Sequence, residues 1–178
     1  MDSRLIVAAE NDLKNVLELT GLEFTSANLK DTPKRIAKMW LSEDGVFSSL
    51  HKPIEELEKE MTLFPAKSHD TVVVKDIPFN SMCAHHFLPF FGKVDVSYIP
   101  EKEIIGLSKI PRVVHYFSKM PQVQEEYTQS IGEFLVKVIS PRFLSVDVHD
   151  TLHTCVKCRG IETYASMDTH FEYNKDSD

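Results

Sequence analysis

All three cysteines and three of the eight histidines of this chain fall in two short, widely separated segments. These are Ser81-Met82-Cys83-Ala84-His85-His86 and His153-Thr154-Cys155-Val156-Lys157-Cys158-Arg159-Gly160. If the two segments share one ion, the fold must bring them together. Thiolate and imidazole are the ligands zinc prefers, and the two-residue gap between Cys83 and His86 lets one turn present both to a single ion. The plain alternative, a buried free cysteine beside surface histidines, explains either segment alone better than it explains both. Two metal sites remain open. Cys83, His86, Cys155 and Cys158 would close a four-ligand structural site, whereas Cys83, His86 and Cys155 would leave a position for water. Strand parity favours the second. If Val146 and Val148 continue to alternate against Asp147 and His149, then His153, Cys155 and Arg159 share a face and Cys158 points away. A bulge or turn would reverse that parity. On this reading His153 and the spare His85 are proton carriers.

Composition narrows the class. At 178 residues, 42% of them hydrophobic, the chain has the material for one compact domain, and 6 Gly with 3 Cys exclude a collagen-like repeat or a disulfide scaffold. A chain of this length buries roughly 70% of its unfolded surface, so a hydrophobic core suffices without staples. An odd cysteine count fits a reducing compartment. The net charge of -7 argues against a nucleic-acid groove but permits a local basic pocket. There is no apolar run of membrane-spanning length and no signal-peptide pattern at the start, so a cytoplasmic protein without a membrane partner is expected.

The hydrophobic period changes along the chain. Leu5, Ala8, Ala9, Leu13, Val16 and Leu17 recur at helical spacing and Gly21 stands where that helix would stop. Asp31-Thr32-Pro33 reads as a cap and first turn ahead of a helix through Trp40. Thr71 to Ile77 is β-branched, and Val94, Val96 and Tyr98 alternate with polar residues, which predicts strands. Helical spacing returns at Ser108, breaks at Pro121 and resumes from Gln122 to Ile139, predicting two consecutive antiparallel helices. Phe143 to Phe171 alternates again as further strands, with Asn174 to Asp178 as a frayed end. The order predicts an α+β domain whose antiparallel sheet is covered on one face.

Two weaker patterns accompany the cysteines. Gly106-Leu107-Ser108-Lys109 leads into a helix whose Lys109 and Arg112 share a side near its start, a suitable place for a phosphate, and Arg35 and Lys38 repeat the spacing earlier. Each pair alone reads more simply as a solvated face. In Pro121-Gln122-Val123-Gln124-Glu125, a carboxylate could accept two N–H bonds from a guanine-like edge, or could simply complement a helix dipole. Tyr116, Phe117, Phe87, Phe90 and Phe91 read as core packing rather than a stacking platform.

In order and spacing, several landmarks resemble the GTP cyclohydrolase I family. They are Asp31-Thr32-Pro33-Lys34-Arg35-Ile36-Ala37-Lys38-Met39, Ser81-Met82-Cys83 with His85-His86-Phe87-Leu88-Pro89-Phe90, Ile105-Gly106-Leu107-Ser108-Lys109, Gln122-Val123-Gln124-Glu125, and His153 with Cys155 and Arg159-Gly160. The resemblance implies the tunnelling fold, in which subunit sheets join into a barrel, and a homodecamer of two pentamers with active sites between subunits. It divides the chain into a helical part over 1–50 and a core over 59–173 of a single domain. It implies zinc on Cys83, His86 and Cys155, and proton transfers by His85 and His153. Guanine would be gripped by Gln124 and Glu125, and the triphosphate held by Ser108, Lys109, Arg112 and Arg159, with Arg35 and Lys38 reaching in from a neighbouring chain. The implied reaction converts GTP to formate and 7,8-dihydroneopterin triphosphate, a step that feeds pterin, folate or deazaguanine synthesis. Two departures accompany it. Ala84 stands where the family usually has glutamate, which makes a weakened or non-catalytic purine-nucleotide-binding homologue the alternative, and the stretch before Asp31 is short for the family.

Overall fold

The computed structural model describes residues 3–161 and 165–177, so 162–164 of the predicted strand run lie outside the described residues. The described residues fall into two compact units, one through His51 and one from Lys52. In the first, helix α1 (Ser3–Glu18) packs on α2 (Thr32–Leu41), whose start follows the expected pattern of Asp31 at the cap and Pro33 in the first turn. Of the predicted α1 face, Ala9, Leu13 and Leu17 are half-buried while Leu5, Ala8 and Val16 stay exposed. Gly21 has φ +86, which stops the chain from continuing as helix. A single 3₁₀ turn, Ser48–His51, follows.

The second unit opens with a short helix, α3 (Ile54–Glu60), and contains two sheets. Strand β1 (Leu63–Pro65) pairs with β4 (Glu103–Ile105). The main sheet has the order β5-β2-β3-β6-β7, built from β2 (Val72–Cys83), β3 (Pro89–Ile99), β5 (Pro121–Gln122), β6 (Phe143–His153) and β7 (Met167–Asn174). All neighbours are antiparallel except β5, a two-residue strand that runs parallel to the end of β2 and interrupts the predicted helical run. Helices α4 (Lys109–Ser118) and α5 (Gln124–Ile139) contribute Val113, Val114, Tyr127, Ile131 and Leu135 to a core against Phe90, Val94, Val96, Leu144, Val146 and Val148. At Gly132 of α5, an added Cβ would lie 2.1 Å from the Phe171 ring of β7, so this helix and strand meet only because no side chain intervenes. The tail expected to fray does not do so from Asn174. That residue closes β7, and the Lys175 N–H donates to the Arg142 carbonyl at 2.9 Å.

Two bulges decide which way the strand ends face. Between Val74/Val96 and Ile77/Val94, β2 spends three residues against two of β3, with Asp76 at φ 55. Between Lys93/His149 and Phe91/Leu152, β6 does the same, with Asp150 at φ 54. An extra residue exchanges the two faces downstream of it. On β2 the inward set changes from Val72 and Val74 to Ile77, Phe79 and Cys83. On β6 it changes from Leu144, Val146 and Val148 to Thr151 and His153. The parity expected from Val146 and Val148 is therefore corrected: His153 leaves the face of Asp147 and His149. The expected strand beyond it is also corrected, because residues 154–158 form a short helix, α6 (Thr154–Cys158). Each bulge is tied to its neighbours. The Asp76 N–H donates to Asp95 Oδ1 at 2.7 Å and the Asp150 N–H to Asp168 Oδ1 at 3.1 Å. Lys93 Nζ, on the strand between, lies 3.0 Å from Asp76 and 3.6 Å from Asp150.

The opposite face of the sheet is polar. Asp95 stands directly across from Asp147, a repulsion relieved by His149, 3.2 Å from Asp95, and His170, 2.7 Å from Asp147. The bond to Asp147 raises the pKa of His170 above its ordinary value. A raised histidine pKa stabilises the fold below the unfolded value of ~6.5, and that contribution disappears as pH rises through the folded value. His170→Gln is therefore expected to narrow the difference in melting temperature between pH 6 and pH 8 at fixed protein concentration. An unchanged difference would mean that the pair is too solvated to matter.

Candidate metal centre and nucleotide cavity

Cys83 ends β2, where its N–H donates to the Leu88 carbonyl at 2.9 Å and its carbonyl accepts the Phe87 N–H at 2.8 Å. The chain thus reverses tightly over residues 84–88, with Phe87 at φ 52. Strand β5 locks the turn: the Ala84 N–H donates to the Gln122 carbonyl, and the buried Gln122 amide donates to Ser81 Oγ at 2.8 Å and to the Phe117 carbonyl. From the end of β6, His153 enters the same space, its ring stacked on Phe90 at a centroid distance of 4.6 Å and an interplanar angle of 4°. Cys155 follows on the first turn of α6.

The sulfurs of Cys83 and Cys155 lie 3.9 Å apart, and one ligand atom from each of Cys83, His153 and Cys155 falls within 4.8 Å of the others. Among the described residues this is the one cysteine, histidine or carboxylate group able to hold a metal ion. Two thiols and an imidazole, mostly buried, are a soft donor set that fits zinc. Burial raises the Cys155 thiol pKa and the adjacent Cys83 raises it further, so metal binding there would displace a proton. Burial also lowers the His153 pKa, opposed by the charge of Glu125. Cys158 is exposed.

Around this group lies a cavity of about 610 Å³. Its lining gathers most of the residues expected from the sequence: Cys83, His85, His86, Gln124, Glu125, His153, Cys155 and Arg159. His85 Nδ1 is 3.7 Å from Cys83 Sγ. His86, which the resemblance implies as a ligand, lines the cavity with an exposed side chain and lies outside the three-residue group. Gln124 is fully buried. Lys157, which lies in the second cysteine segment but to which the sequence pattern gives no role, is also on the lining. Ser108, Lys109 and Arg112 are absent from this lining; Ser108 stands at the N-cap position of α4 without a side-chain capping bond, and Arg112 donates to Glu60 at 2.9 Å. Arg35 and Lys38 stand on α2 in the N-terminal unit, Arg35 lying 3.8 Å from Asp31. Of the aromatic residues expected in the core, Phe90 and Phe117 are buried, whereas Phe87 and Phe91 are exposed and Phe91 lines the cavity.

The family model for GTP cyclohydrolase I matches residues 9–175. The chain belongs to the GTP cyclohydrolase I family. It is 44% identical over 160 residues to GTP cyclohydrolase 1 of a Sulfurihydrogenibium species, covering 89% of this chain and 80% of that one. It is 42% identical over 152 residues to GTP cyclohydrolase 1 of Carboxydothermus hydrogenoformans, covering 84% and 76%. The apo crystal structure of the archaeosine synthase QueF-Like superposes with a TM-score of 0.51 at 18% identity, over 60% of this chain and 95% of that one. The fold is thus the tunnelling fold of the GTP cyclohydrolase I family, as the sequence resemblance implied. No described helix is long and apolar enough to cross a membrane.

Proposed function

We propose that this chain is a cytoplasmic, zinc-dependent GTP cyclohydrolase that opens the imidazole ring of GTP, releases C8 as formate and yields 7,8-dihydroneopterin triphosphate. The observation that carries the reading is the convergence of Cys83, His153 and Cys155 in a cavity shared with His85, Glu125 and Arg159, in a chain of this family. Cys83 and Cys155 would hold the zinc together with His86 of the 84–88 reversal. When bound, zinc supplies a Lewis acid that acidifies water toward neutral pH.

The protein's own groups do the rest. Glu125, at the first turn of α5, accepts the N–H edge of guanine, and Arg159 faces the phosphates. His85 donates a proton to N7, which makes C8 more electrophilic, and His153 carries protons in the later steps. Ser108, Lys109 and Arg112 would complete the phosphate site from a neighbouring copy, with Arg35 and Lys38 also contributed in trans. Three features support such a homo-oligomer, which we read as a decamer of two pentamers. Ser108, Lys109 and Arg112 are not among the described residues that line the cavity of their own chain. Leu5, Val7 and Val16 leave apolar surface on α1. Among the described residues, β7 and most of β2 also have an outer edge without a strand partner. The helical part over 1–50 and the core over 59–173 act together on this view, as the family match running through both supports.

Ala84 sits exposed on the reversal next to the two histidines, so the carboxylate usual in the family is missing where it would orient one of them. The zinc-loaded full chain supplied with GTP is expected to release formate and, after oxidation, a fluorescent pterin in equal amounts. GTP binding without either product, with turnover appearing in Ala84→Glu, would instead identify a nucleotide-binding homologue.

A further inference from the structure

Gln124 has no solvent exposure, and every polar atom of its side chain is engaged within the protein. One end lies 3.0 Å from the Met167 carbonyl and 3.1 Å from Thr169 Oγ1; the other lies 2.9 Å from His153 Nε2. A carbonyl oxygen only accepts, so the end facing Met167 is the NH₂ and the end facing His153 is the oxygen. The hydroxyls beyond it are fixed in sequence. Thr128 donates its one proton to the Gln124 backbone carbonyl at 2.9 Å, so in the 2.6 Å contact with Thr169 it is Thr169 that donates, leaving Thr169 Oγ1 to accept from the Gln124 amide. Rotating the amide would set its oxygen against the Met167 carbonyl. The oxygen facing His153 can only accept, so His153 Nε2 carries a hydrogen, and stacking on Phe90 fixes the plane of the ring.

We propose that Gln124 is a positioning residue that holds neutral His153 as the Nε2–H tautomer, so that Nδ1 is the only ring atom with a free lone pair for the proton transfers of the reaction. The inference rests on the proposed role of His153 in GTP turnover. It also removes the Gln124 side chain from guanine recognition, since both amide hydrogens are already used, and leaves that recognition to Glu125.

Two measurements on the zinc-loaded full chain test it. With ¹⁵N-labelled histidine, at a pH where imidazoles are neutral, His153 is expected to show a pyrrole-like Nε2 and a pyridine-like Nδ1, assigned by comparison with His153→Phe. The reverse pattern in the wild type would overturn the proposal whether or not GTP is turned over, which separates this failure from that of the functional reading. In kinetics, Gln124→Met is expected to lower kcat by about 10–100-fold, with mixed tautomers in the spectrum, and to change KM for GTP by less than about twofold. A raised KM with kcat preserved would return Gln124 to guanine binding and overturn the proposal. Should Gln124→Met fail to fold, the wild-type ¹⁵N pattern decides the proposal on its own.

Discussion

Replacing Cys155 with serine is expected to strip the metal and lower GTP turnover by about 10³-fold or more, whereas Cys158→Ser leaves both unchanged. The contrast follows from position. Cys155 is buried with its sulfur 3.9 Å from that of Cys83, while Cys158, at the other end of the same short helix, is exposed. Serine keeps the size of the side chain but gives up the thiolate that makes the pair a soft donor set. Because the Cys155 thiol pKa is raised, loading must expel its proton, and zinc affinity is expected to weaken as pH falls. Metal content of the purified full chain, measured beside formate release, decides the matter. Loss of zinc in Cys158→Ser as well as in Cys155→Ser would instead establish the closed four-ligand structural site.

Gly132→Ala is expected to destabilise the fold by about 2 kcal/mol, even though alanine is the better helix former by ~1 kcal/mol. The new methyl would fall 2.1 Å from Cδ1 and 2.5 Å from Cγ of Phe171, so the whole ring must leave rather than only its tip. Phe171 is the β7 residue paired with Val146, and its displacement loosens the strand from α5. The melting temperature should fall by roughly 4–8 °C at constant protein concentration. Adding Phe171→Leu to Gly132→Ala should recover part of the loss, since the two positions touch. A variant that melts at or above the wild-type temperature would show that helix propensity outweighs the contact.

The elements that the sequence announces most clearly are those whose period is unbroken. α2, α5 and the alternating halves of β3 and β6 lie where the pattern puts them, and the order of motifs identifies the family. What the pattern misses is set by single residues. Asp76 and Asp150 do not by themselves mark an inserted residue, because an aspartate beside a strand also reads as a solvent-facing polar position, and only the backbone reveals its left-handed conformation. β5 is two residues long, too short for any period. Gln124 reads as one more polar residue at a helix start. Its role depends on Met167 and Thr169, which the fold alone brings to it. The cations of α4 are legible as a phosphate pattern, yet the cavity that would use them is not lined by them in the same chain.

The paired bulges give the centre an unusual genetic sensitivity. Cys83 and His153 face inward because each strand holds one residue more than its neighbour, so the orientation of both is recorded in a count rather than in a side chain. Asparagine or glycine at Asp76 or Asp150 would accept the same left-handed backbone and leave that count intact. An in-frame loss of one codon at either position would turn the downstream strand end over and carry its metal- or proton-handling group to the wrong side of the sheet. Asparagine and glycine substitutions would report these positions as tolerant; a library of single-codon deletions would find them essential.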